Sequence, residues 1–495
     1  MTSLLDQLLH LSKTIADFMW GEWMIILLVG TGILLTFMTG FIQIRKLGLS
    51  LSFVTRGAMG KDKTEQEEGD ISPFAALMTA LAATVGNGNI AGVATAIATG
   101  GPGAPFWMWL SGFFGMATKY AECFLGVKYR EVAEDGTMAG GPMYYIRNGI
   151  KNQHIAKILG GVFAVCGGMT ALFGTGNMMQ SNSMALAFKT QFGVPTLLSA
   201  VIITVLTGLV IIGGIKRIGA VAERLVPTMI LFYFLGALVI LVVKFTEIPA
   251  AFALIFKSAF SLEAAGGALI GTTVREAISL GVRRGVLSNE AGLGSAAIAQ
   301  AAAKSPNPTY NGLVGMTGVF IDTIVVNTLT TLTIVVTGLW KLTPAAGVAL
   351  GAGADIPPHA SALAQQLGLD LSQGGLTSTA LTAEAFNTVI PFGGTIIALG
   401  SMLFGYTTLI GWAYYGEICL EYLFGVRSKM PYRWAYITLL FIGAILTGKY
   451  LNIVWYVGDT FNAIMALPNL IGLLFLARIV SRATSEFYRT NKLEI

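Results

Sequence analysis

The stretch Thr84-Val-Gly-Asn-Gly-Asn-Ile-Ala-Gly92 restricts the fold more than any other. It lies inside an apolar run from Phe74 to Thr99, long enough to cross a bilayer as one helix. Three glycines and two asparagines stand where an uninterrupted span would carry Leu or Val. Glycine costs about 1 kcal/mol against alanine inside a helix. An asparagine amide must be hydrogen-bonded in hydrocarbon. The spacing therefore predicts a helix that breaks here. Broken backbone at membrane depth survives only where protein or a water-filled cavity satisfies it. The freed carbonyls and amides can then bind ions and small zwitterions.

The rest of the chain supplies the membrane. Charged residues make up 12% of its 495 residues and hydrophobic ones 54%, whereas soluble domains carry about 25% charge. The reading is an all-α polytopic membrane protein with eleven transmembrane helices, two of them discontinuous. The spans are expected near 23–44, 74–100, 104–127, 157–188, 196–213, 225–246, 266–303 (interrupted), 310–339, 391–424, 434–448 and 452–479. Residues 1–20 carry Leu4, Leu8, Leu11, Ile15 and Phe18 on one stripe and read as an amphipathic interfacial helix. Residues 21–72 hold the first span and a charged linker around Lys61–Glu68; 342–390 form a polar loop, with a short helix over Thr382–Val389 capping a pathway. Residues 481–495 are read as a cytoplasmic tail.

Charge placement orients these spans. With the N-terminus outside and the C-terminus inside, 21 of the 31 Lys and Arg fall in inner segments and six in outer ones, as the positive-inside rule requires. The formal charge of +5 thus encodes topology, with no call for a nucleic-acid partner. Four cations fall within spans: Lys119, near Glu122, and Arg275, Arg283 and Arg284. Asp322 is a candidate partner for one of the three arginines. Cys123, Cys166 and Cys419 lie in apolar segments without a C-x-x-C pair, and His10, His154 and His359 are scattered. Neither a metal cluster, a disulfide nor a nucleophile–base pair is visible, which argues against a cofactor and against an intramembrane enzyme. Gly86-x-Gly88 has no preceding strand, and Gly443–Lys449 lacks the Ser/Thr of a phosphate loop, so no nucleotide site is expected.

A second interrupted stretch, Leu287-Ser-Asn-Glu-Ala-Gly-Leu-Gly-Ser295, matches the first in kind. One break falls in span two and the other in span seven. With the first span set aside, they open two five-helix halves, 73–246 and 247–480. One such stretch alone could be close helix packing across small residues. Two in register are a pointer to a transporter binding site.

Thr84–Gly92, Gly100-Gly-Pro-Gly-Ala-Pro-Phe-Trp-Met-Trp109, Ala139-Gly-Gly-Pro-Met-Tyr144 and Ser288–Ser295 together resemble the signature of the alanine or glycine:cation symporter family. The resemblance covers essentially the whole chain. It implies a LeuT-type 5+5 inverted repeat of the APC superfamily, with one extra N-terminal helix. It also implies sodium-coupled uptake of alanine or glycine across the cytoplasmic membrane of a prokaryote. A family Gln and a Thr…Trp pair that line the substrate pocket correspond to Gln180, Thr408 and Trp412. Thr407 and Thr408 resemble paired hydroxyls that meet sodium.

Physical chemistry adds the remaining roles. An anionic carboxylate suits a half-helix N-terminus, which Gly86 and Gly88 leave unobstructed; Thr84 adds a hydroxyl. Sodium wants hard oxygen ligands. The substrate set is then Thr84, Gly86, Asn87, Gly88, Gln180, Thr408 and Trp412, and the sodium set is Thr84, Asn89, Thr407 and Thr408. Which of Asn87 and Asn89 faces the cavity stays open. Ser288, Asn289, Glu290, Gly292 and Asp322 are gating or structural candidates; Glu290 is expected to accept backbone N–H bonds at the second break. Glu290 and Asp322 also keep proton coupling open, and a roomy pocket at Trp412 would admit glutamine. A passive channel is the other competing class. No obligate protein partner is evident.

Overall fold

A computed structural model describes residues 4–61, 67–260, 274–305, 307–348, 356–372 and 374–490. The expected starts and ends at 1–3 and 491–495, the centre of the linker (62–66), the first part of the seventh span (261–273) and parts of the 342–390 loop (349–355 and 373) lie outside the described residues.

The described chain is helical. Helix α1 (Leu4–Met19) leaves its apolar stripe on the outside, with Leu4, Leu8, Leu11, Ile15 and Phe18 exposed. That is where an interfacial helix meets lipid. Helix α2 (Glu22–Met38) follows. Helix α3 (Pro73–Thr84) starts cleanly: Pro73 opens the first turn and Ser72 Oγ accepts from the Ala75 amide at 3.0 Å, a side-chain cap on a Pro-led turn. Every residue of α3 is buried. A π-helical turn, Gly88–Gly92, leads into α4 (Val93–Gly100). The axis bends by 50° between the two parts, where the glycines and asparagines fall.

Helix α5 (Ala104–Lys128) runs beside both breaks. A short antiparallel pair, β1 (Glu131–Val132) and β2 (Met138–Ala139), follows it. Helices α6 (Gln153–Phe173) and α7 (Met178–Phe192) occupy the region expected as one span, 157–188. Together they make one candidate span, Gln153–Phe192, interrupted at 174–177. A Cβ on Gly458 would sit 2.3 Å from Gly174 Cα, so the last helix presses its backbone into this break. Helices α8 (Thr196–Ile211) and α9 (Gly214–Val243) come next.

Helix α10 (Val274–Asn289), a turn at 290–294 and α11 (Ser295–Ala301) form the second discontinuous helix. Helices α12 (Pro308–Val319) and α13 (Thr328–Val336) are joined by a π-helical segment, Phe320–Asn327. The expected helix at Thr382–Val389 is present as α14 (Ser378–Asn387). Helices α15 (Gly393–Phe424), α16 (Lys429–Ile445) and α17 (Gly448–Thr490) follow. The last is one helix of 43 residues and continues through most of the expected tail. Among the described residues, six helices are long and apolar enough to cross a membrane, seven if the bent pair α3–α4 counts as one.

The three arginines do not reach Asp322, contrary to expectation. Arg275 is exposed and pairs with Glu22. Arg283 lies 3.8 Å from Asp459, and Arg284 is close to the same carboxylate. Asp322 is satisfied by neutral groups instead.

Candidate functional site

The first break is held by its own asparagine. Helix α3 ends at Thr84, and the amide of Val85, which caps it, donates to Leu81 O at 2.7 Å. The next amide, on Gly86, donates to Asn89 Oδ1 at 2.8 Å. Asn89 is fully buried. Its Nδ2 has three side-chain acceptors: Asp322 Oδ1 at 2.6 Å, Asn327 Oδ1 at 2.8 Å and Ser288 Oγ at 3.1 Å. Two hydrogens are shared among three oxygens, so the group acts as a network. Ser288, at the end of α10, also donates to Asp322 Oδ2 at 2.9 Å. Asn289 Nδ2 donates to Thr323 Oγ1 at 2.9 Å. The π segment thus carries the side chains that join the two breaks. A π segment closes its backbone bonds over five residues in place of four and is common at functional sites.

The open question about the two asparagines has a geometric answer. Asn89 shapes the break, while Asn87 is half-buried. Asn87 Nδ2 donates to Gln180 Oε1 at 3.0 Å, and Asn87 Oδ1 accepts from Ser401. Ser401 was not a candidate; it sits seven residues before Thr408 on α15, on the same helical face. The structure brings Asn87, Gln180, Ser401, Gly86 and Thr408 together. Thr408 Oγ1 donates to Phe404 O at 2.9 Å. A Cβ added to Gly86 would sit 2.7 Å from that hydroxyl. Gly86 is therefore bare because Thr408 closes on it. Gly88 faces Ser288 at ordinary contact distance.

Other candidates sit apart from this cleft. Thr407 donates to Phe404 O at 3.0 Å and lies 3.4 Å from Met229 Sδ; it turns toward α9. Thr84 donates back to Ala80 O at 3.1 Å and borders a small cavity below the break. Trp412 is buried, and a Cβ on Gly176 would meet it at 2.6 Å. It packs against the third break. The exposed carbonyls of the first break are engaged by hydroxyls: Thr330 Oγ1 on Asn89 O at 2.7 Å and Thr382 Oγ1 on Ile90 O at 3.2 Å. The second of these docks α14 onto the break.

The second break has a different keeper from the one expected. Gly292 and Gly294 have φ of +95° and +83°, which glycine adopts without strain. Their amides point to Glu122 Oε1 on α5, at 2.9 and 3.1 Å. Asn469 Nδ2 reaches the same oxygen at 2.7 Å. Glu122, not Glu290, accepts the backbone N–H groups. Glu290 accepts from Trp412 Nε1 at 3.0 Å and from Ser295. It ties the Trp412 indole to the second break.

The outer ends of the two broken helices are clasped together. Asp70 N donates to Ala302 O at 2.8 Å and Lys304 N to Ile71 O at 2.7 Å, a short parallel bridge between Ile71 and Ala303. Arg130 adds bonds to Ala301 O at 3.1 Å, Ala303 O at 2.6 Å and Glu68 O at 2.8 Å. Nearby, Lys429 Nζ binds Asp135 at 2.7 Å. Partial burial would raise the Asp135 carboxyl, but bonds from Lys429 and Thr137 hold it down at about 2.

The comparisons with known proteins fit this geometry. The sequence profile of the sodium:alanine symporter family matches residues 5–494. The chain belongs to that family. Its members are transporters, and this is a multi-pass membrane protein, not an enzyme. The chain is 48% identical over 484 residues to the sodium/alanine symporter AgcS of Methanococcus maripaludis, covering 98% of each. It is 33% identical to a probable sodium/glutamine symporter, GlnT of Bacillus subtilis, covering 98% of this chain and 91% of that one. Among solved structures it is similar to MhsT in complex with L-phenylalanine, with a TM-score of 0.51 at 14% identity, covering 85% of this chain and 99% of that one. At that identity the likeness concerns the fold.

Proposed function

We propose that this protein is a sodium-coupled symporter that imports alanine or glycine across the cytoplasmic membrane of a prokaryote by alternating access. The observation that carries the reading is the joining of two helix breaks at one polar centre. Asn89, Ser288 and Asp322 link them, and the half-buried Asn87–Gln180–Ser401 cluster lies beside them. The amides, hydroxyls and backbone groups of this centre suit a small zwitterion. The name of AgcS supports the same substrate.

In this reading eleven spans cross the membrane: α2, α3–α4, α5, α6–α7, α8, α9, α10–α11, α12–α13, α15, α16 and α17. Helix α2 is the extra one. The next five form one repeat and the last five its inverted partner, with the N-terminus outside and the C-terminus inside. The clasp at Arg130 then closes the cytoplasmic end. The substrate binds among Gly86, Asn87, Gly88, Gln180 and Thr408, with Thr84 and Trp412 joining from the flanks when the cleft rearranges. Sodium is bound by oxygens of Thr84, Asn89, Thr407 and Thr408, the three hydroxyls turning to the ion from the backbone carbonyls they now meet. Ser288, Asn289, Glu290, Gly292 and Asp322 hold and move the second break. Coupling requires sodium to stabilise the substrate-binding arrangement over the alternative.

The test is uptake of radiolabelled alanine, glycine and glutamine into proteoliposomes, with and without an inward sodium gradient. Accumulation of alanine or glycine above equilibrium, only with sodium, supports the reading. Preference for glutamine, the substrate in the name of GlnT, would replace the substrate. Uptake that never exceeds equilibrium would make the protein a passive pore.

A further inference from the structure

The transport reading leaves one buried charge without a task. Lys119 on α5 is 2% exposed. Among the described residues it forms no ion pair, and its Nζ has no hydrogen-bond partner. An ammonium in that state carries a desolvation penalty of several kcal/mol, so the arrangement needs a reason. Glu122, one helical turn along, supplies half of it. Its Oε1 is fully used by Gly292, Gly294 and Asn469, while its Oε2 is buried and without a partner. A cation and a carboxylate oxygen therefore sit close in sequence and space, each unsatisfied and not in direct contact.

Beside Lys119 is a cavity of about 10 Å³ with largely apolar walls, Leu77, Ala80, Leu81 and Ala296 among them; its polar lining includes Lys119 and Gln300, whose Nζ and Nε2 are both buried without a partner. That is close to the minimum that holds one water. The cavity lies between the end of α3 and the start of α11, where the two broken helices approach each other. The charged and titratable groups around Lys119 are Glu122 and Cys123 on α5, Glu290 in the second break and Asp322 on the π segment. The phenols of Tyr145 and Tyr415 lie beyond the two glutamates. Of the other cavity-lining helices, α3, α11 and α12 contribute no charged residue, and the arginines of α10 face Glu22 and Asp459. The three carboxylates disfavour an anion here, and the Lys119 ammonium at the cavity wall disfavours a second cation, which leaves a neutral, polar occupant.

We propose that the cavity beneath the first break holds water that hydrates the Lys119 ammonium, and that this tethered cation balances Glu122, Glu290 and Asp322 and so fixes the second break. Lys119 is a positioning residue: it touches neither substrate nor sodium and acts through Glu122 on the Gly292–Gly294 turn. A built-in cation has a consequence for the break. The carboxylate that gathers its amides is kept in place without an ion that could leave during the cycle.

The experiment is thermal unfolding of the detergent-purified full chain at about pH 5 and pH 8, for wild type, Lys119→Met, Lys119→Met/Glu122→Gln and Lys119→Arg. It needs no sodium gradient, so its outcome is separate from that of the coupling test. Removing the cation leaves the carboxylates uncompensated, and proton uptake at low pH relieves them. The loss in Lys119→Met is therefore expected to be about twofold larger or more at pH 8 than at pH 5. Adding Glu122→Gln, which keeps an oxygen for the two glycine amides, recovers at least half of the loss, and Lys119→Arg recovers part. If Lys119→Met alone does not yield folded protein, recovery of a monodisperse double variant supports the proposal. A loss equal at both pH values, or a double variant no better than the single, overturns it. Stabilisation of wild type by chloride over gluconate would overturn the water assignment.

Discussion

Replacing Asn89 by Asp tests the join between the two breaks, because it changes a donor into an acceptor at nearly constant shape. Asn89 Oδ1 would still accept from Gly86 N. The other oxygen would now face Asp322 Oδ1 at 2.6 Å. Two unit charges at that separation repel by about 6 kcal/mol at an effective dielectric of about 20. That is comparable to the whole stability of many domains. The folded state must take up a proton or give up the contact. The assay is thermal unfolding of detergent-purified protein, read by size-exclusion chromatography at two pH values. Asn89→Asp is expected to unfold well below wild type near pH 7.5 and to recover partly near pH 5.5. The exchange Asn89→Asp/Asp322→Asn restores a donor opposite a carboxylate and recovers more than half of the loss. Wild-type stability for the single variant at both pH values, or a double variant no better than the single, would refute the reasoning.

Three further predictions concern the cleft and its closure. Thr408→Val removes only a hydroxyl bonded to its own helix at Phe404 O, so it is expected to cost under about 1 kcal/mol of stability; alanine uptake falls tenfold or more, as it does in Gln180→Ala, and near-normal uptake in both would contradict the cleft. Asp135→Asn breaks the contact with Lys429. Because the carboxyl is held at about 2 in the folded protein against an ordinary 3.8, the stability it contributes is present above pH 4 and fades as pH falls through 2; melting curves of variant and wild type should therefore differ at neutral pH and converge in acid. Arg130→Ala frees the carbonyls of Ala301 and Ala303. In a background without Cys166 and Cys419, Cys123 is expected to react several-fold faster with a small maleimide, and an unchanged rate would contradict the clasp.

How far the sequence could be read depended on the range of the interaction. The first two breaks show as glycines and asparagines clustered inside apolar runs, a local signal with a local cause. The third, at Gly174–Asn177, carries the same residue types but only four of them, between apolar stretches that pass as one span. Its reason lies in the approach of Gly458, nearly 300 residues away. Glu122 was visible as an intramembrane charge, yet its role depends on amides 170 residues further on, so the nearer Glu290 was credited with it. The π segment at Phe320–Asn327 keeps an apolar helical pattern and differs from an α-helix only in its backbone bonding. Ser401 has no distinguishing neighbourhood at all. Its place is set by Asn87 across the cleft.

The central claim is that two joined helix breaks couple sodium to a small neutral amino acid. The most direct measurement is uptake of radiolabelled alanine into proteoliposomes with either a sodium gradient or a proton gradient imposed alone. The account predicts accumulation above the external concentration with sodium, abolished when the sodium gradient is dissipated. Accumulation that follows the proton gradient and ignores sodium would contradict it.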